Sequence, residues 1–169
     1  MGQDEAYRRA VAEHGAMLAR LARAYEADVD QRRDLLQEIH VDLWRSLASF
    51  RDQCSLRTWV FRVAHNVANS HIARQIRIRR GLVTLDALEH TAGPDDPERE
   101  VGKKQILDRL IALIRELKPP DRQVILLYLE EFDAAAIAEV TGLSSRAVAT
   151  KIHRIKAVLA RHFRDGETV

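Results

Sequence analysis

Residues 131–163 read EFDAAAIAEVTGLSSRAVATKIHRIKAVLARHF. Small and apolar residues fall where two crossing helices must touch: Ala138, then Gly142 at the turn, then Val148 inside the second helix. Ser144 or Ser145 can cap that second helix, after which Val148, Ile152, Ile155 and Leu159 recur as one inward stripe. The opposite face carries Arg146, Thr150, His153 and Arg154, with Lys151 on its flank, and each can donate hydrogen bonds to base edges or phosphates. The pattern predicts a helix-turn-helix with a polar reading face. Any two short helices with a glycine turn and a solvated charged face would share part of it, but here the glycine, the cap, the apolar register and the polar face agree.

Outward from this motif, helical periodicity dominates and almost no alternating apolar and polar run suggests a strand, so the expected fold class is all-α. Val11, Met17, Leu18 and Leu21 predict a first helix or helix pair over about Asp4 to Tyr25. Over Asp30 to Ser49, Leu36, Ile39, Leu43 and Leu47 form an inward stripe, while Asp34, Gln37, Glu38 and Val41 occupy a neighbouring face. Phe50 to Arg57 reads as a short polar loop, and a long helix follows from Leu56 or Thr58 to about Arg80.

The composition changes between residues 81 and 102, where Gly81, Gly93, Pro94, Pro97 and Gly102 mix with acids, so this segment is expected to be a flexible acidic linker. Val83, Leu85 and Leu88 could dock locally. Two small helical domains follow, residues 1–80 and 103–169. The second opens with an amphipathic helix carrying Ile106, Leu110, Leu113, Ile114 and Leu117. Pro120 is placed to start the next helix, with Val124, Ile125, Leu127 and Tyr128. A unit of about 65 residues buries only about 60% of its unfolded surface, so it should be marginally stable alone.

The chain has 169 residues, 46% hydrophobic and 31% charged, with a formal net charge of only +2, an ordinary soluble balance. The distribution of charge says more than its sum. No Asp or Glu occurs between Gln53 and Leu85, where Arg57, Arg62, Arg74, Arg77, Arg79 and Arg80 all lie. Acids flank the tract: Glu26, Asp28, Asp30, Asp34, Glu38 and Asp42 before it, then Asp86, Glu89, Asp95, Asp96, Glu98 and Glu100. Such segregation gives a nearly neutral molecule a positive surface able to follow a phosphate backbone, although an arginine-rich helix can also be merely solvated.

Cys54 stands alone, which excludes an internal disulfide and a thiolate-built structural zinc site. No apolar run has signal-peptide or membrane-spanning length, so a cytoplasmic protein without membrane insertion is expected. His40 follows Glu38, and His14 adjoins Glu13. Yet no zinc-protease helix motif, phosphate-cradling glycine loop or nucleophile elbow is present. No catalytic residue, metal site or cofactor is expected, and the protein is not read as an enzyme.

In this order the pieces resemble a small sigma factor of the sigma-70 family, of the extracytoplasmic-function group that keeps only regions 2 and 4. The resemblance rests on Arg33-Asp34-Leu35-Leu36-Gln37-Glu38-Ile39 followed by Leu43-Trp44-Arg45 and Phe50-Arg51. It continues in Thr58-Trp59-Val60-Phe61-Arg62-Val63-Ala64-His65-Asn66-Val67-Ala68, and in Leu117 to Leu159 with Pro120, Arg122, Val124, Ile137-Ala138-Glu139 and Gly142-Leu143-Ser144.

The resemblance implies a partner for each part. Asp34, Gln37 and Glu38 would dock on the clamp helices of the RNA polymerase beta-prime subunit, where complementary charge speeds encounter; the polymerase's beta flap is a further implied partner. The loop Phe50 to Arg57 and the helix after it would capture a base of the minus-ten promoter element. Asn66 matches the family's contact position, and Arg51, Gln53, Ser55 and Arg57 are its neighbours, while Arg62, Arg74 and Arg77 would hold phosphate. Trp44 and Trp59 could stack on bases, but an interior role is favoured for each.

The second helix of the helix-turn-helix would enter the major groove of the minus-35 element. Thr150, His153 and Arg154 match positions that commonly contact bases, Arg146 is added on geometry, Ser145 lies beside it, and Lys151 would grip phosphate. An anti-sigma factor is an implied partner.

Three departures matter. Ala149 stands where relatives often place Arg or Lys, Ser144-Ser145-Arg146 replaces a frequent proline, apolar, glycine run, and Ser70 occupies the place of a second asparagine. Promoter preference therefore does not transfer. The main rival is a self-sufficient operator-binding regulator, which would leave the Asp34 to Glu38 face and the Asn66 helix unused and would ordinarily need a dimer interface.

Overall fold

The computed structural model describes residues 2–82 and 102–165. Among these there are seven α-helices and no strand: α1 Gln3–Tyr25, α2 Val29–Leu47, α3 Leu56–Leu82, α4 Lys103–Glu116, α5 Pro119–Leu129, α6 Ala134–Thr141 and α7 Ser145–Asp165. The N-terminal pattern forms one helix, not a pair. Gly81 and Leu82 belong to the last turn of α3, not to the expected linker, and Gly102 is the N-cap of α4. The rest of that linker, with Val83, Leu85 and Leu88, lies outside the described residues.

Asp28 starts α2 by accepting the Gln31 amide N–H at 2.9 Å. The α2 chain runs antiparallel to α1, since Gln3 and Asp4 meet Trp44 and Tyr7 meets His40. It is also antiparallel to α3, because Trp59 bonds Ser46 while Gln75 bonds Gln31. Leu18, Leu21 and Ala22 of α1, Leu35, Ile39, Leu43 and Leu47 of α2, and Val60, Phe61, Ala64 and Ala68 of α3 fill the space between them. Each buried leucine or phenylalanine contributes about 1.5–3 kcal/mol. Leu35 is fully buried, and the expected Leu36 is only half-buried. With α1 and α3 on its two sides, α2 centres its stripe on the strict i, i+4 row.

In the second group, Lys118 caps α5 and the pair Pro119-Pro120 occupies its first turn, where a missing amide proton costs nothing. Asp133 caps α6 by accepting the Ala136 N–H at 2.8 Å. Gly142, at φ +75°, ends α6 in the left-handed region, with its N–H on the Ala138 carbonyl at 2.9 Å. Ser144 then caps α7 through the Ala147 N–H at 3.1 Å, so Ser144 and not Ser145 is the cap. Ile114, Val124, Ile125, Leu127, Ile137, Val140, Val148, Ile155 and Leu159 form this group's interior. Ile106, expected inward, is exposed in the first turn of α4.

The two groups share one continuous core. Phe61 of α3 meets Phe132, before α6, edge to face at a centroid separation of 5.0 Å. Polar contacts ring this pair. Arg20 holds Glu130 through two bonds of 2.8 and 2.9 Å. Arg115 donates to the Arg23 carbonyl at 2.8 and 3.1 Å, Arg23 pairs with Asp108, and the Arg122 guanidinium lies over the Tyr25 ring.

Candidate nucleic-acid interface

The loop between α2 and α3 is closed by its own side chains. Gln53 accepts the Arg51 N–H at 2.9 Å, and Arg51 donates to the carbonyls of Ala48 and Phe50, both at 2.9 Å. Asp52 takes φ 55° at the tip, a conformation Asp tolerates better than most residues. Ser55 accepts the Thr58 N–H at 3.0 Å, so this expected DNA contact is the cap of α3. Phe50 packs on Trp59 at a centroid separation of 5.3 Å, and the Trp59 indole donates to Ser46 at 3.0 Å. Cys54 is half-buried and burial pushes its thiol up, away from thiolate chemistry.

Along α3 the expected contacts divide. Asn66 and Arg77 are exposed. Arg57 is not free: it donates to the Glu130 carbonyl and lies 4.3 Å from the Phe132 ring centroid. Arg62 donates to the Glu139 carbonyl at 3.1 Å, and Arg74 pairs with Glu38 of α2. One turn inside this face, His65 is fully buried with Nδ1 3.0 Å from the Tyr25 hydroxyl, and burial lowers its pKa to about 3.

Asp34 and Gln37 are exposed on α2, whereas Glu38 is half-buried beside Arg74. The same side of the helix exposes Val41 and Trp44, the latter at 43%. An interior place was expected for Trp44, but its indole donates to Asp4 at 2.9 Å while the ring faces outward. Sequence reasoning missed its part in this face because an isolated tryptophan is ordinarily a core residue.

On α7, Ser145, Arg146, Thr150, His153 and Arg154 are exposed, while Val148, Ile155 and Leu159 are buried and Ile152 half-buried. The Thr150 hydroxyl donates to the Arg146 carbonyl at 3.0 Å. Lys151, half-buried, bonds Asp121 at 2.5 Å, and Arg154 bonds the same carboxylate at 3.2 Å. These polar residues thus lie outward, opposite an apolar stripe. Among the described residues there is no His, Cys, Asp and Glu cluster able to hold a metal ion, and no helix is long and apolar enough to cross a membrane.

Known proteins share both halves of this arrangement. The family profile described as Sigma-70 region 2 matches residues 10–78, and that described as Sigma-70, region 4 matches residues 107–159. The chain is 32% identical to the RNA polymerase sigma factor CnrH of Cupriavidus metallidurans over 94% of its own length and 87% of that protein. It is 29% identical to the RNA polymerase sigma factor NccH of Alcaligenes xylosoxydans xylosoxydans over the same two shares. The solved structure of CnrH in complex with the cytosolic domain of CnrY superposes with a TM-score of 0.68 at 25% identity, covering 97% of this chain and 91% of that one. The sigma factor RpoE in complex with the anti-sigma factor NepR, from Bartonella quintana, shares the fold, with a TM-score of 0.74 at 18% identity over 94% and 96% of the two chains. The chain belongs to the sigma-70 family, in its extracytoplasmic-function group. It is an RNA polymerase sigma factor, a protein of transcription initiation and not of an enzyme class.

Proposed function

We propose that this sigma factor binds core polymerase through the α2 face of Asp34, Gln37 and Glu38, directs it to promoters through two DNA surfaces, and helps open the minus-ten region. Residues 1–80 act as region 2 and residues 103–169 as region 4, the latter also meeting the beta flap. The minus-ten surface comprises Arg51, Gln53, Arg57, Arg62, Asn66, Arg74 and Arg77, with Ser55 holding the start of α3. The minus-35 surface comprises Ser145, Arg146, Thr150, His153 and Arg154, with Lys151 on its flank held by Asp121. One observation carries the reading: the left-handed Gly142 and the Ser144 cap set α7 with its apolar stripe buried and its donors outward.

Arg57 and Arg62 are held by the C-terminal helices, so they reach DNA only after that group moves off α3. Binding to polymerase supplies the energy for the separation, and an anti-sigma factor that favours the packed form restrains it. The structures of CnrH with CnrY and RpoE with NepR, both of this fold, support such a partner.

Transcription reconstituted from core polymerase, the purified chain and genomic promoter fragments tests the reading. Selective transcripts are expected only when the chain is supplied. Equal selectivity from core enzyme alone, or tight promoter binding by a chain that ignores core enzyme, would sink it in favour of an independent regulator.

A further inference from the structure

We propose that Asp121, on α5, is a positioning residue for promoter discrimination: its carboxylate fixes Arg154 for base readout and withholds Lys151 from indiscriminate phosphate binding. The inference rests on the minus-35 reading of α7.

No Asp or Glu occurs in α7 from Ser145 to Arg164. An acid that meets its cations must therefore come from another helix, and Asp121 does so twice. Lys151 Nζ lies 2.5 Å from Oδ1, and Arg154 Nη2 lies 3.2 Å from Oδ2 and 3.4 Å from Oδ1. The placement is stiff. Pro119 and Pro120 fix the backbone just before Asp121, whose own N–H bonds the Lys118 carbonyl at 3.0 Å.

The exposures differ in a telling way: the Asp121 side chain is 18% exposed and that of Arg154 is 62% exposed. Both Arg154 bonds use Nη2, and an Nη2 N–H that is not engaged by Asp121 can act with its neighbour on Nη1 or Nε as the two-donor fork that a guanine edge takes. Elsewhere on the helix the donors are fewer than they look. Ala149 offers none, and Lys156 rests over the Tyr128 ring at 5.3 Å. Of the exposed donors Arg146, Thr150, His153 and Arg154, it is Arg154 whose guanidinium a carboxylate of another helix holds, so its share of discrimination depends on that hold.

An acid in the first turn of α5 would also favour that helix through its dipole. That role needs no reach toward α7, so it is separable. The full chain assembled on core polymerase is titrated with two duplexes, one carrying an upstream element selected by the wild-type complex from a randomised pool, the other the same element scrambled.

Asp121→Asn, which keeps size and removes charge, is expected to steepen the slope of log K against log salt by about 1 to 2. It should tighten binding to the scrambled duplex and reduce the selected-to-scrambled ratio about tenfold. In an Arg154→Ala background the same change should leave the ratio where Arg154→Ala alone puts it. An unchanged slope and ratio in Asp121→Asn, or a further fall of the ratio without Arg154, overturns the inference. Should Asp121→Asn not fold, Asp121→Glu keeps the charge and the helix start but shifts the carboxylate by one methylene. Its ratio should fall at constant slope, and a wild-type ratio there overturns the inference equally. Equal wild-type affinity for both duplexes would instead remove the minus-35 reading itself.

Discussion

The Arg57 guanidinium lies 4.3 Å from the centre of the Phe132 ring while also donating to the Glu130 carbonyl. One residue of the proposed minus-ten surface is thereby committed to the C-terminal helices, beside the buried contact of Phe61 with Phe132. The surrounding ion pairs add little, since Arg20 is largely exposed and such pairs are worth about 0–1 kcal/mol. Burial of the two rings is the main adhesive.

Replacing Phe132 by Ala should therefore separate the two helical groups. The loss expected for a buried phenylalanine is about 3–5 kcal/mol. Small-angle scattering should report a larger radius of gyration for the variant, with helix content by circular dichroism largely kept. Arg20→Ala should change the radius much less. A Phe132→Ala chain as compact as wild type would show that other contacts hold the groups together.

What was legible in the sequence was local. The turn at Gly142, a serine cap at 144 or 145 and the stripe Val148, Ile155 and Leu159 are fixed by neighbours within a few residues, and the fold keeps them, with Ser144 as the cap. What was not legible depended on distant chain. Nothing near Arg57 or Arg62 announces Glu130 or Glu139, each more than seventy positions away. Nothing around Leu35 and Leu36 says that α1 and α3 will flank α2 so as to bury the first more fully. Trp44 was misplaced for a related reason: composition alone cannot separate a core tryptophan from one that presents its face outward and anchors its indole N–H on Asp4.

His65 should make the protein acid-sensitive. Burial lowers its folded pKa to about 3, whereas the unfolded chain takes up a proton near the ordinary value of 6.5. The unfolded state thus binds more protons between these two values. Stability is full above pH 6.5 and falls by up to about 1.4 kcal/mol per pH unit on acidification toward 3. His14 and His40 are lowered chiefly by burial and act in the same direction. Urea midpoints from pH 7.5 to 4.5 should show the decline, and His65→Gln should have a shallower one. Parallel profiles would assign the acid sensitivity to other groups.

Gly142 should tolerate no side chain without strain, although there is room for one. A Cβ there would meet nothing within 4 Å, so the cost is conformational and arises from φ +75°. Gly142→Ala is expected to lose about 1–2 kcal/mol, and Gly142→Asn less, because Asn enters this region more readily. Thermal melts should rank the three chains glycine, asparagine, alanine. If alanine melted with glycine, the turn would have another conformation open to it.

The two tryptophans should part company when each is replaced by alanine. Trp59, half-buried, packs on Phe50 and bonds Ser46, so Trp59→Ala removes contacts against the core and should cost stability, by less than the roughly 3–5 kcal/mol of a fully buried aromatic. Trp44 stands exposed at 43% on the side of α2 that carries Asp34 and Gln37. Its loss should leave the melting temperature nearly unchanged but weaken association with core polymerase by at least tenfold, as truncating a tryptophan at an interface commonly does. Asp34→Lys should also weaken association, mainly by slowing the on-rate and in a manner that salt suppresses. Surface-capture kinetics on immobilised core enzyme separate the two effects. A Trp44→Ala chain that binds core enzyme as wild type does would confine the docking surface to the charged residues.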